Sequence, residues 1–208
     1  MRHAALRASL VVGLLALPAA ILPVGAAQAD GTITCTTYIG PGTYQGSLVV
    51  SSGETCLTDA TVTGSVVVRP GASVKIEDSS VDGAVNSNGA TDISVCGSIL
   101  GSLSVLNSIG PVVIGRAGEQ EGCTGNTING SVTLQGNHDD EVVLGANTIA
   151  GSVNFLGNIA ATNAVEGNQI GGSLVCLRND APPIKNNYPN TVGAATVGQC
   201  ANLNPSPE

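Results

Sequence analysis

Aromatic side chains are nearly absent from this chain of 208 residues, which contains one Phe, three Tyr and no Trp. Cores of ordinary width usually include several large rings, so the interior of this protein must be narrow and filled by smaller side chains. Exposed rings are also the usual platform of sugar-binding proteins. We expect Phe155 to belong to the core and Tyr188 to a cap, which leaves Tyr38 and Tyr44 as the remaining rings.

Basic side chains are scarce as well. Seven Lys and Arg residues stand against fifteen Asp and Glu residues, and two of the seven, Arg2 and Arg7, lie in the first 29 residues. Proteins bind nucleic acid largely by neutralising phosphates with basic side chains, so this balance argues against a nucleic-acid partner. It argues equally against binding to anionic lipid or anionic wall polymers without a bridging cation.

A long apolar run occurs only once. The run ASLVVGLLALPAAILPV follows the two early arginines and precedes AQA at 27–29, a pattern typical of a cleaved secretory signal peptide. A membrane anchor is the alternative, but the run is shorter than the ~18–20 apolar residues that span a bilayer. We therefore expect residues 1–29 to be a signal peptide. The mature chain is then secreted and extracellular, or associated with the cell wall, with no membrane contact after cleavage.

All six cysteines follow the predicted signal peptide, and an even number of cysteines in an exported chain predicts disulfides. A metal site is the alternative, but the sequence has no CxxC and no Cys/His cluster. Six cysteines allow 15 connectivities. Their spacing favours sequential pairs, each across one repeat or one loop: Cys35–Cys56, Cys96–Cys123 and Cys176–Cys200.

A short motif recurs along the whole mature chain. NTINGSVTLQGN, NTIAGSVNFLGN and NQIGGSLVCLRN begin at 126, 147 and 168. Each has an apolar residue two positions before a central Gly and others two and four positions after it. The same pattern, broken only at Ser87, surrounds seven glycines: Gly46, Gly64, Gly83, Gly101, Gly130, Gly151 and Gly172.

Alternation with a period of two predicts strands, and a second alternating pair, such as Val74 with Ile76, recurs between the motifs. At least two short strands in each repeat of about 20 residues are typical of a β-solenoid. The Asn residues that recur beside Gly predict turns and hydrogen-bonded amide ladders, rather than a binding surface, at Asn126, Asn137, Asn147, Asn158, Asn168 and Asn179.

The sequence therefore predicts an all-β, single-domain, right-handed parallel β-helix of about seven coils with disulfide-stapled ends. Repeats occupy residues 30–179, and a C-terminal cap and tail occupy 180–208. Left-handed helices have similar periods, so the hand is a preference. A β-sandwich is the main alternative fold, but it gives no reason for apolar residues at fixed offsets from a Gly.

The stretch TVTGSVVVRPGASVKIEDSSVDGAV, the GNTINGSV lines and the ending PNTVGAATVGQC resemble a class of secreted actinobacterial β-helix proteins with Gly-Ser/Asn repeats. The resemblance covers the mature chain and implies the fold, but that class has no established activity. The period is also similar to that of bactofilins, which are cytoskeletal β-helix polymers. A signal peptide, disulfides and end caps depart from the bactofilin pattern.

The densest polar cluster is NHDDE, where His138 precedes Asp139, Asp140 and Glu141. We expect Asp139 and Asp140 to lie in a turn because Gly136 and Asn137 precede them. A solvated turn is the main interpretation, a low-affinity calcium site formed by Asp139, Asp140 and Glu141 is the second, and catalysis is the last. A second acidic pair, Glu119 and Glu121, predicts a solvated loop.

Motifs of nucleophilic, metallopeptidase and nucleotide-binding enzymes are absent from the sequence. We therefore expect a non-catalytic structural or adhesive protein, with calcium as the single candidate cofactor. Its partner is unknown, with cell-wall or extracellular polysaccharide or a surface protein as candidates. The first alternative is a polysaccharide-acting enzyme or a carbohydrate-binding β-helix. An ice- or surface-binding protein comes third, because we expect the outward positions to mix Ser, Val, Thr and Asn rather than to form a regular Thr ladder.

Overall fold

The computed structural model describes residues 34–118 and 122–204. The predicted signal peptide, Glu119, Glu121 and the last four residues lie outside these ranges. Within them, the chain forms eight successive coils built from 21 short strands and no helix. The strand ladders are all parallel, so the prediction of an all-β parallel solenoid is confirmed. Its hand stays a prediction.

The first four coils contain ten strands: β1 (Thr37–Ile39), β2 (Gly42–Tyr44), β3 (Leu48–Val50), β4 (Glu54–Thr58), β5 (Ala60–Val62), β6 (Val66–Val68), β7 (Ser73–Glu77), β8 (Ser80–Asn88), β9 (Asp92–Cys96) and β10 (Ile99–Leu106). The last four coils contain eleven: β11 (Val112–Ile114), β12 (Thr127–Ile128), β13 (Val132–Gln135), β14 (His138–Gly145), β15 (Thr148–Ile149), β16 (Val153–Leu156), β17 (Ile159–Glu166), β18 (Gln169–Ile170), β19 (Leu174–Leu177), β20 (Thr191–Val192) and β21 (Thr196–Gly198).

The first seven coils each contribute to two sheets, and the eighth contributes strands to sheet B alone. Sheet A is one ladder of seven strands in the order β1-β4-β7-β9-β11-β14-β17. Sheet B has fourteen strands and consists of two ladders, which the long strands β8 and β10 join by continuing from one to the other. The two halves of sheet B meet at the Gly-Ser step of the repeat, so this step is the corner between them.

The segment predicted to be only a cap and tail continues the stack. Strands β20 and β21 pair in parallel with β18 and β19, and Asp180 and Ile184 form isolated parallel bridges to the seventh coil. These contacts add the eighth coil to the seven that the repeat predicts. A turn at 199–204 follows, and its Leu203 and Cys200 are buried in the core.

The core is a narrow tube of stacked Val, Ile and Leu side chains, with Phe155 as its only ring among the described residues. The offsets from the central Gly identify its lining correctly at most positions. Tyr44, at the end of the described stack, is 39% exposed, and one position was wrong: Ile99 is 51% exposed, and Leu100 is the buried residue. The reason is an irregularity in the pairing of β8 with β10 between Leu100 and Ser102, which shortens the fourth coil at this corner.

The close stacking of successive coils explains the repeated Gly. A Cβ atom on Gly151 would lie 2.7 Å from the carbonyl oxygen of Gly130, and one on Gly64 would lie equally close to the carbonyl oxygen of Gly46. The Ser that follows has a structural role as well. The Ser131 Oγ accepts a hydrogen bond from the Ser152 backbone N–H, 3.1 Å away, in the next coil.

Two ladders of buried amides run along the stack, one at each end of the sheet A strands. In the first, the Asn147 Oδ1 accepts hydrogen bonds from the backbone and side-chain nitrogens of Asn126, and its Nδ2 donates to the Asn168 Oδ1. The first ladder comprises Asn126, Asn147, Asn168 and Asn190, and the second comprises Asn137, Asn158, Asn179 and Gln199. The structural interpretation of the six predicted Asn residues is confirmed.

The turn chemistry differs from the expectation in one respect. The ladder Asn residues do not adopt left-handed backbone conformations themselves. Positive φ angles occur at the residue immediately before five of them, Asn137, Asn147, Asn158, Asn168 and Asn179, for example 57° at Ala146 and 60° at Arg178. That preceding residue reverses the chain, and the Asn after it points its amide into the stack, where it satisfies backbone groups that would otherwise be buried without partners.

The three predicted disulfides are present. Cys35–Cys56, Cys96–Cys123 and Cys176–Cys200 have Cα–Cα distances of 5.6, 4.9 and 5.2 Å, within the usual range for a disulfide. The first joins adjacent coils at one end of the described stack. The second closes the base of the long loop after β11, and the third attaches the terminal turn to the seventh coil.

Peptide mapping by mass spectrometry without reduction should recover these three pairs. The paired replacement Cys35→Ser with Cys56→Ser should lower the free energy of unfolding by about 2–4 kcal/mol, because the loop it closes is constrained in the unfolded chain. Denaturant titration measures that loss. A long-range pair such as Cys35–Cys200 would contradict the arrangement of the coils.

Candidate functional site

The predicted acidic cluster lies on a strand and not in a turn. His138, Asp139 and Asp140 form the exposed start of β14, and Glu141 follows them. In the 21-residue coils, more residues separate the ladder Asn from the buried part of the sheet A strand than in the shorter coils. In β14 these additional residues pair with β17. Adjacent strand residues point in alternating directions, so Asp139 and Asp140 do not converge as they would in a turn.

Glu141 has a partner that its position in the sequence does not reveal. Its Oε1 forms an ion pair with the Arg116 guanidinium, which comes from the start of the long loop after β11. Both side chains are about one-quarter exposed. Arg116 thus places a positive charge over sheet A at the level of the fifth and sixth coils.

The strand register brings together carboxylates that are far apart in the sequence. Glu54 pairs with Ser73, which pairs with Asp92. Ile93 and Val142 both pair with Val112, so the residues that precede them, Asp92 and Glu141, lie in one column two coils apart. We call Glu54, Asp92 and Glu141 the acidic column of sheet A.

Asp92 has the most perturbed carboxyl group of the described residues. Burial in the sheet surface is the main cause, and the negative charges of Glu54, Glu141 and Asp139 add to it. Together they raise the pKa of Asp92 from 3.8 to about 7. A carboxylic acid that keeps its proton close to neutral pH, beside other carboxylates, is a feature of functional sites and also of structural clusters.

The raised pKa of Asp92 predicts a specific pH dependence. Between pH 3.8 and about 7 the folded state binds this proton more tightly than the unfolded state does, so the free energy of unfolding should fall as pH rises through that window. Asp92→Asn should remove the effect. We expect its melting temperature to exceed that of the parent at pH 8 and to approach it at pH 4. The exposed Asp82→Asn is the control for loss of one negative charge.

A polar cleft lies beside the acidic column. It has a volume of about 450 Å³ and is lined by Arg116, Ala117, Glu166, Asn186 and Tyr188. Glu166 is buried at its base, and its Oε2 accepts a 2.8 Å hydrogen bond from the Asn186 Nδ2. This cleft lies between the long loop and the eighth coil. No pattern in the sequence indicates this cleft, because only the folded structure brings Glu166 and Asn186 close to Arg116.

The described residues contain no group of three or more His, Cys, Asp or Glu side chains placed to hold a metal ion. Asp139, Asp140 and Glu141 therefore offer calcium no ready set of ligands, and Glu141 is already paired with Arg116. The calcium hypothesis stays a prediction, which calorimetric titration of the protein with calcium can test.

A second surface, on sheet B, carries a Thr-rich column that the sequence interpretation missed. On the first ladder of sheet B, one outward position is occupied by Thr in five of the eight coils. Its members in register order are Thr43, Thr61, Ser80, Ile99, Thr127, Thr148, Gln169 and Thr191. We call this the Thr column. Outward positions mix residue types on the other ladder of sheet B, as expected, whereas on this ladder Thr predominates over Ser, Ile and Gln.

The surroundings of the Thr column are flat over the last coils. The exposed position two residues after each column residue is occupied by a small residue in these coils: Ala150, Gly171 and Gly193. Thr127, Thr148, Gln169 and Thr191 are exposed. None of the eight column residues is charged. The column therefore presents hydroxyl and methyl groups at the fixed spacing of a parallel ladder, ~4.8 Å per coil.

No model of a protein family, no curated protein and no solved structure matches this chain. Among the described residues, no helix has the length and apolar character needed to span a membrane. The acidic column of sheet A and the Thr column of sheet B are the two surfaces of the described solenoid that suggest a function.

Proposed function

We propose that this protein is an exported, non-catalytic, adhesive solenoid that binds a repeating, uncharged surface through its Thr column. The observation that carries the proposal is the register of that column, with Thr in five of eight coils. We favour cell-wall or extracellular polysaccharide as the partner, because its repeated hydroxyl groups can exchange hydrogen bonds with Thr hydroxyls along many coils at once.

The rest of the repeat supports a scaffold role. The central Gly of the motif, the Ser that follows it in most coils and the ladder Asn residues of the later coils are engaged in contacts between coils. The side chains that point outward, at a fixed spacing along the stack, are therefore the ones available to contact a partner. Each contact with a repeating surface is weak, but many equivalent contacts on one rigid face add their effects.

The proposed export agrees with three disulfides, which persist in oxidising compartments. The resemblance to secreted actinobacterial β-helix proteins agrees with this proposal and stays a prediction.

The test is co-sedimentation of the purified protein with insoluble chitin, cellulose and peptidoglycan, compared with the double variant Thr127→Lys/Thr148→Lys. Both residues are exposed, so the variant should fold, while two lysines rising from the flat face should weaken binding at least about tenfold. The matched control is Thr133→Lys/Asn154→Lys, which places the same charges in the same coils on the other ladder of sheet B.

Loss of binding in the first variant alone supports the proposal. Equal loss in both variants, or no sedimentation with any of the three solids, contradicts it. Inhibition of ice recrystallisation by the parent, abolished by the same two lysines, would instead favour the ice-binding alternative, since the Thr column suits any regular solid surface.

A polysaccharide-acting enzyme is the second candidate, and Asp92 is the observation that favours it. Its raised pKa makes it a possible general acid near neutral pH. Glu141 lies two coils away in the same column, ~9–10 Å at the spacing of a parallel ladder. Inverting glycosidases place their two carboxyl groups roughly 6.5–9.5 Å apart, so the column approaches that arrangement.

Release of reducing ends or unsaturated products from pectin, alginate, chitin and xylan, with and without calcium, tests this candidate. Activity that Asp92→Asn abolishes and Asp82→Asn preserves would establish an enzyme and displace the adhesive proposal. We expect no turnover of any of the four polymers.

A further inference from the structure

The first coil presents an unpaired strand edge. Strand β2 pairs only with β5 among the described residues, whereas interior strands of the stack have a neighbour on each side. The Gly42 N–H donates to the Asp59 carbonyl, and the Tyr44 carbonyl accepts from the Thr63 N–H. Because bonding directions alternate along a parallel ladder, the N–H and C=O of Thr43 point away from the second coil.

The exposure of Tyr44 shows that the core is incompletely covered at the same end of the stack. It occupies an inward position whose equivalents in the next six coils are at most 3% exposed, yet Tyr44 is 39% exposed. Tyr38 on β1 is 73% exposed. Two of the three tyrosines of the chain thus lie on its first coil, and exposed Tyr side chains are enriched where proteins associate.

The first coil also lacks the usual protection of a sheet edge. Proteins prevent edge-to-edge pairing with charged side chains, above all Lys, on the edge strand. Residues 34–53 contain no Asp, Glu, Lys or Arg, whereas every other coil has at least one. In a chain with fifteen acids, this neutral end is the part that a second copy can approach with the least repulsion.

The core is covered at the other end of the described stack. Leu203 and Cys200 are buried against it, the Leu203 carbonyl accepts a hydrogen bond from the Asn190 N–H, and Lys185 bonds to the Asn204 carbonyl. Strands β20 and β21 at that end have one neighbour each among the described residues, as β2 does, but the charged Asp180 and Lys185 lie in the same coil. The uncharged first coil, with its incompletely covered core, is therefore best matched by a second first coil. Such a contact is an isologous pair, in which the same surface of both copies meets across a two-fold axis.

We propose that two copies of this protein associate head to head through the first coil, with β2 of one copy pairing antiparallel with β2 of the other. The backbone groups of Thr43 supply the pairing, and Tyr44 of each copy is covered by its counterpart. The dimer leaves the Thr column on the outer surface, so it doubles the length of that column. The proposal does not depend on what the column binds.

The test is sedimentation velocity and light scattering of the protein secreted from its full-length coding sequence, at concentrations up to ~100 μM, where a dissociation constant in the micromolar range gives mostly dimer. Thr43→Pro removes the outward N–H and places a ring on the edge, without removing a bond to the second coil. It should raise the dissociation constant at least about tenfold. Thr43→Val keeps the N–H and should remain dimeric.

Circular dichroism shows whether Thr43→Pro is folded. If it is not, Tyr44→Lys is the replacement, since its long side chain can reach solvent from the exposed end and an edge lysine blocks pairing. A monomeric parent, or a dimer that neither Thr43→Pro nor Tyr44→Lys weakens, would overturn the proposal. A monomer in which the Thr43 amide is protected from hydrogen exchange would show that the preceding segment of the chain covers this edge.

Discussion

Replacing Val153 with aspartate should prevent the mature protein from folding. Val153 is fully buried in β16, where it pairs with Val132 in the coil before and Leu174 in the coil after. An unpaired carboxylate at this place costs several kcal/mol, a large part of the 5–15 kcal/mol that stabilises a typical domain. Each coil contacts both neighbours, so the damage extends beyond the sixth coil.

Circular dichroism and thermal melting of the purified variant measure this effect, and secretion yield measures it in the producing cell. Asn154→Asp is the matched control, because residue 154 is the next residue of the same strand and faces outward. It should fold normally, as should Asp140→Ala on the exposed part of β14. Melting of Val153→Asp within a degree or two of the parent would show that the register of the coils is wrong.

Replacing Asn147 with alanine should destabilise the protein by about 3 kcal/mol or more. The Asn147 Oδ1 accepts from two nitrogens of Asn126, and its Nδ2 donates to the Ile114 carbonyl and to the Asn168 Oδ1. The side chain is almost completely buried, so water cannot replace it. Each buried group left without a partner costs about 1–3 kcal/mol.

The exposed Asn129→Ala is the control and should change stability by less than about 0.5 kcal/mol. Asn147→Ser should lie between alanine and the parent, because Ser98 occupies the same column and its Oγ accepts from the Ser79 N–H of the coil before. Denaturant titration gives the three differences in unfolding free energy. Equal stability of Asn147→Ala and Asn129→Ala would show that the amide ladder contributes nothing.

The sequence was sufficient for the fold because the repeat is local and strict. Apolar residues at fixed offsets from a Gly specify which side chains of each coil point inward, and the spacing of the six cysteines matched the distance along one coil or loop. Ile99 shows the limit of that rule. A coil one residue shorter at its corner shifts the inward position to Leu100, and only the pairing of β8 with β10 reveals the shift.

The acidic column could have been found from the sequence, since the necessary pattern was present. Asp92 and Glu141 each precede the first member of an alternating apolar pair, Ile93 or Val142. Aligning the repeat on those pairs, rather than on the central Gly, places both carboxylates in one column. Most of the Thr column was also present in the sequence, three positions before Gly46, Gly64, Gly130 and Gly151. The register was needed only to place Ile99, rather than Ser98, in the column and to add Thr191 of the eighth coil.

The sequence by itself determined the repeat period, the core residues and the disulfide pairs. These features depend on residues that are neighbours along the chain or one coil apart. The tertiary structure alone decided the environment of Asp92, the Arg116–Glu141 ion pair, the cleft over Glu166 and the edge at Thr43, which is uncovered among the described residues. Charge, burial and edge pairing depend on residues two or more coils away, or on the ends of the stack. Whether two such residues meet depends on the lengths of all the coils and on the paths of all the loops that lie between them in the chain.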